Sequence, residues 1–172
     1  MATLDQSYFD TLNNSAPLGY SSNTETAQSF VPSITANIHS VKVYYSRTGS
    51  PSGNLQVGIY SNSGGEPNTL LTSTEVLTAS TINTSATEYT FTFGTQAELT
   101  NGTTYWIKSS ASTAWDNPNN IRVYSHFPSG YASGTEALYN GSTWSNCNAD
   151  ENFEEYYDAP AGGGGSMLTM GA

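Results

Sequence analysis

AQSFVPSITANIHSVKVYYSRTGSPSGNLQVGIY, residues 27–60, decides the fold class of this chain. From Val41 to Tyr45, and again from Leu55 to Tyr60, apolar and polar residues alternate, which is the period of a half-buried strand and not of a helix. The stretch between them, Gly49 to Asn54, is built of Gly, Ser, Pro and Asn, so the two runs read as antiparallel strands around a turn. Successive strand side chains point to opposite faces. Val41, Val43 and Tyr45 therefore share one face, as do Leu55, Val57 and Ile59, while Lys42, Tyr44, Gln56 and Gly58 take the other. One face of each strand is core, and the other meets water or a partner.

The same alternation recurs along the chain. In TEYTFTF (87–93) it turns Tyr89, Phe91 and Phe93 inward and Thr90 and Thr92 outward. In TTYWIKSS (103–110), Tyr105 and Ile107 take one face and Trp106 with Lys108 the other; a buried unpaired Lys is costly, so the Lys108 face is the outer one and Trp106 goes with it. NIRVYSH (120–126) alternates again, and NFEEYYD (152–158) supplies a closing strand. SNSGGEPN (61–68) has the composition of a loop, and Thr69 to Ala79 holds a short strand. Asn101-Gly102 signals a tight turn, and EALYNGSTWS (136–145) a hairpin with Asn140-Gly141 in a type I′ turn. Gly, Asn and Pro interrupt every window long enough for an apolar helical period.

About nine or ten short strands predict an all-β fold, a two-sheet antiparallel β-sandwich of the jelly-roll kind. Val41, Val43, Leu55, Val57, Ile59, Phe91, Ile107 and Val123 are expected to share its core. The sandwich spans residues 25–159. Before it, residues 1–24 form an arm with scattered large side chains (Leu4, Tyr8, Phe9, Leu12, Leu18 and Tyr20) that docks on the sandwich or on a neighbour. After it, residues 160–172 (PAGGGGSMLTMGA) read as a Gly-rich linker and an apolar tail.

The 172 residues are enough for one domain that buries about two-thirds of its unfolded surface without disulfides. Cys147, the one cysteine, is expected to be a small buried hydrophobe. With 4 Lys and Arg against 14 Asp and Glu, the net charge of −10 repels phosphate backbones, so neither nucleic-acid nor anionic-membrane binding is expected. No apolar run approaches a membrane span. MATLDQSYFD carries no secretory signal, which predicts synthesis in a host cytoplasm.

Taken in order, LDQSY, AQSF (27–30), IHSVKVYYSRTGSPSGNLQVGIY (38–60), GGEPNTLL (64–71), ELTNGTTYWI (98–107), YNGSTWS (139–145) and NFEEYYD (152–158) resemble the β-sandwich modules often labelled choice-of-anchor domains. These occur in bacterial surface proteins and in phage virion proteins. The resemblance covers about residues 4–158 and implies a jelly-roll-like sandwich used for display, attachment or adhesion, with no catalytic activity. The Gly-rich tail is not part of that module.

Candidate chemistry is sparse. His39 and His126 read as strand-face residues making ordinary hydrogen bonds, no Ser lies in a nucleophile elbow, and no catalytic residue, metal site or cofactor is assigned. The acidic group Asp150, Glu151, Glu154, Glu155 and Asp158 reads as a solvated edge that discourages strand pairing; a calcium site there is an alternative, although EF-hand spacing is absent. Trp106, Trp115, Tyr124, Tyr139 and Trp144, on outer parities or in loops, are the candidate glycan or interface aromatics. Met167, Leu168 and Met170 are the candidate anchor in the tail. The expected role is a non-enzymatic phage virion structural protein, a capsid decoration protein whose partners are the major capsid protein or neighbouring copies. The alternative is a tail-associated or surface adhesin that binds host glycans.

Overall fold

The computed structural model describes residues 1–20 and 23–159. Met167, Leu168 and Met170 lie outside the described residues. The chain is an all-β sandwich of two antiparallel sheets, one of eight strands and one of seven. The eight-stranded sheet contains β1 (Ala2–Tyr8), β2 (Asn14–Leu18), β4 (Ala36–Thr48), β8 (Thr87–Thr92), β9 (Glu98–Leu99), β11 (Asn120–His126), β14 (Asp150–Glu151) and β15 (Phe153–Asp158). The seven-stranded sheet contains β3 (Glu25–Phe30), β5 (Asn54–Ser63), β6 (Glu66–Leu70), β7 (Glu75–Thr78), β10 (Tyr105–Ala111), β12 (Glu136–Tyr139) and β13 (Trp144–Asn146). Taken in chain order, β3, β4, β5, β8, β10, β11, β12 and β15 alternate between the sheets, which is a jelly-roll-like wrapping.

β4 is the hub. It pairs with β15 through Ile38–Val43, with β8 through Ser40–Tyr45 and with β11 through Tyr45–Thr48. Although β4 and β5 are consecutive, they are not hairpin partners, as the turn-rich break between them suggests; Gly49 to Gly53 instead carries the chain from one sheet to the other. Crossing the sandwich lets both strands bury their apolar faces against each other. Gly49 has φ 62° there, and a Cβ on it would meet Pro118 O at 2.1 Å, so a side chain is excluded twice over.

Val41, Val43, Leu55, Val57, Ile59, Ile107 and Val123 are fully buried and Phe91 nearly so, all in one core between the sheets. Tyr45 Oη and Ser109 Oγ, 2.6 Å apart, join the sheets through that interior. Val57→Ala or Ile59→Ala is expected to cost about 1–4 kcal/mol, read as a lower denaturant midpoint at unchanged slope.

Residues 1–18 supply two strands: β1 pairs with β15 along its length, and β2 pairs with β11 and sends Leu18 into the core. No residue of β1 is fully buried at this sheet edge, so neither face selects an apolar period, which explains the irregular pattern there. SNSGGEPN is a hairpin tip joining β5 to β6, with Gly64 and Gly65 both at positive φ (64° and 87°), as a two-residue primed turn demands. In the β12–β13 hairpin the expected turn shifts by one residue. Asn140 pairs with Thr143, leaving Gly141-Ser142 at the tip, because the Asn140 carboxamide oxygen accepts the Ser142 and Thr143 N–H groups.

Candidate functional site: the outer face of the seven-stranded sheet

Strand parity and register build this surface. Trp106 and Lys108 leave β10 on the side away from the core, and the ladders place Tyr60 and Ser29 beside Trp106 and Gly58 and Ala27 beside Lys108. Ala137 of β12 stands opposite Ala27, and Tyr139 opposite both Glu25 and Trp144. Ala27 and Ala137 leave a hollow on the face, which the Trp106 indole fills, while Leu70 covers Gly58. Trp106 is 1% exposed, grouped with Ala27 and Ala137 under Tyr60 and Trp144, and its Nε1 donates to Asn62 Oδ1 at 2.9 Å.

Tyr60, Tyr139 and Trp144 form the accessible aromatic rim above that floor, partly exposed, with the Tyr139 and Trp144 rings 5.1 Å apart. Lys108 Nζ sits 4.3 Å over the Tyr60 ring and 2.8 Å from Glu25 Oε2, so a fixed cation and carboxylate lie beside the aromatics. Apolar ring faces flanked by charged donors and acceptors suit a ligand that is apolar on one side and hydroxylated at its edge.

Of the expected aromatics, Trp106, Tyr139 and Trp144 come together here, with Trp106 as floor and not as contact surface. The other two do not join them. Trp115 is only 7% exposed: the loop between β10 and β11 folds it into the main core, where Nε1 donates to Ser52 O. Tyr124 lies on the outer face of the opposite sheet, its hydroxyl 3.0 Å from Ser46 Oγ. Tyr60, Glu25 and Lys108 join the site through the ladder; Tyr60 and Lys108 are already placed by parity with Gly58 and Trp106.

The acidic C-terminal group is not a solvated edge. Asp150 and Glu151 are fully buried, Glu155 is 2% exposed, and β15 is paired on both sides, by β1 and β4. Only Glu154 and Asp158 face outward, Glu154 to Lys42 at 2.8 Å and Asp158 to the Gln96 amide. Cys147 is partly exposed and not a buried hydrophobe; desolvation, with the charges of Glu136 and Glu151, pushes its thiol up to about 11, which keeps it protonated at neutral pH. His39 Nδ1 lies 3.0 Å from Ser40 Oγ, and His126 Nδ1 3.1 Å from Thr11 Oγ1. Among the described residues, no three His, Cys, Asp or Glu side chains converge as metal ligands, and no helix is long and apolar enough to cross a membrane.

Compared with protein-family models, curated proteins and solved structures, the chain finds no match.

Proposed function

We propose that this chain is a non-enzymatic attachment protein of a phage virion, and that the outer face of its seven-stranded sheet binds a host-surface glycan. The observation that carries this reading is the rim of Tyr60, Tyr139 and Trp144 over the buried Trp106, with Lys108 and Glu25 at its border. Tyr and Trp rings stack on the apolar face of a sugar, and the charged border takes its hydroxyls. Fixed rings lose little conformational entropy when a ligand docks. Titrating a panel of host-surface glycans should shift the Trp144 indole resonance, and Trp144→Ala should weaken the responding glycan at least tenfold with the fold retained. No response from any glycan, or a response unchanged in Trp144→Ala, overturns this reading.

A second reading, a capsid decoration protein held by its terminal segments to the major capsid protein or to neighbouring copies, is favoured by one observation. Among the described residues β1 is an edge strand, paired on one side only, and Met1, Leu4 and Phe9 are exposed along the same segment. Labelling the chain in intact particles separates the readings: decoration requires signal around the capsid, and adhesion requires it at the tail or another host-facing position.

A further inference from the structure

Two carboxyl side chains enter the sandwich interior from opposite sheets. On the seven-stranded side, Glu136 stands directly opposite Gln28 in the β3–β12 ladder, and Gln28 stands opposite the core residue Ile107, so both side chains point inward. On the eight-stranded side, Glu151 stands opposite Ser125, which shares its face with the core residues Ile121 and Val123. Glu136 and Glu151 are 1% and 0% exposed. Gln28 ties the two sides together, donating from Nε2 to Asp150 Oδ1 at 3.1 Å and accepting the Glu151 N–H at 2.8 Å.

Asp150 is satisfied, because its Oδ2 accepts the N–H groups of Gly130 and Tyr131, each at 2.9 Å. Glu151 is less well served: neither of its carboxyl oxygens has a partner in full hydrogen-bond geometry among the described residues, nor has Oε2 of Glu136, and the Thr26 hydroxyl, also without such a partner, lies close enough to Glu151 to favour its ionised form. The four basic residues of the chain are all engaged elsewhere. Lys42 pairs with Glu88 and Glu154, Lys108 with Glu25, Arg47 bonds the Gly49 carbonyl, and Arg122 bonds Ser15. Tyr45, Cys147 and Asp150 are the other titratable groups around the pair, and none of them is a cation.

We propose that Glu136 and Glu151 are the carboxylate ligands of a calcium-class divalent cation held between the two sheets, with the hydroxyls of Thr26 and Ser125 as neutral oxygen donors. Ionised carboxylates are acceptors only, so buried oxygens without donors call for a positive charge. The donor set is all oxygen, which selects calcium or magnesium over zinc, and its irregular mixture of carboxylate and hydroxyl suits the flexible coordination of calcium better than the strict octahedron of magnesium. Third carboxylates are not needed; hydroxyls, peptide carbonyls and water complete such a shell. A cation here would join β12 to β14 and so clamp one sheet to the other.

The test uses the full chain, stripped with a chelator and held at pH 8, where few protons compete with a cation for carboxylate oxygens. Adding millimolar calcium chloride should raise the melting temperature by several degrees. Terbium should bind and luminesce on tyrosine excitation, since the Tyr45 ring lies close enough to feel the Glu151 charge. Glu151→Gln and Glu136→Gln should each fold and each lose both responses. No calcium shift and no competable terbium signal in the unaltered chain would overturn the proposal and leave the pair holding protons alone. A calcium response retained in both variants would overturn it too, by placing the ion elsewhere.

Discussion

Chelator-treated protein should lose several kcal/mol of stability as the pH rises from about 4.5 to about 8. Burial first, then the Asp150 charge, raises Glu136 from the ordinary glutamate value of 4.5 to about 7, against the opposing Ser125 hydroxyl. Burial and the Asp5 carboxylate raise Glu155 to about 8, and burial with Glu136 raises Glu151 well above its ordinary value. Between 4.5 and these raised values the folded state binds protons that the unfolded chain has already released. Stability from these groups is therefore fully present below pH 4.5 and is lost as the pH climbs through their folded values. For Glu136 alone the shift corresponds to on the order of 3 kcal/mol. Urea midpoints measured from pH 5 to pH 9 check this, and Glu136→Gln and Glu151→Gln should each flatten the slope. A midpoint that rises with pH across that range would falsify the assignment. Because a bound cation would favour the ionised carboxyls, the same series repeated in calcium should show a smaller decline.

Trp115→Ala should destabilise the fold by about 3–5 kcal/mol while leaving glycan affinity per folded molecule unchanged. The indole lies against Gly19, where a Cβ would meet its Cε3 at 2.4 Å, and its Nε1 donates to Ser52 O at 2.6 Å. One ring thus joins three segments: the end of β2, the crossover between β4 and β5, and the loop before β11. Truncation removes that contact and the shorter of the two hydrogen bonds to the Ser52 carbonyl, which keeps only the Thr113 Oγ1 donor at 3.3 Å. Trp144→Ala removes a partly exposed ring and should cost far less stability while carrying the loss of binding. Denaturant unfolding alongside a glycan titration separates the two tryptophans. If Trp115→Ala proved as stable as the unaltered chain, the core position of Trp115 would be wrong.

Much of this architecture is legible in the alternation alone. In β4, β5, β8, β10 and β11 the period of two sorts core from surface side chains, since a strand half-buried in a sandwich must put every second residue inward. The same parity places Trp106, Lys108 and Tyr60 on an outer face. It does not reveal that Ala27 and Ala137 make a hollow for Trp106 there, because those two come beside it only through the β3–β10 and β3–β12 ladders.

The sequence by itself determined the strand class, the inward set of apolar residues and the outward set around Lys108, because these depend on neighbours two residues away. Tertiary structure alone decided that β4 and β5 belong to different sheets, that Trp115 is core, and that Asp150, Glu151 and Glu155 are buried. A run of carboxylates near a chain end has the local pattern of a solvated edge. What buries it is pairing with β1, β4 and β11, contributed by residues up to 156 positions away, and no local period records a partner at that distance.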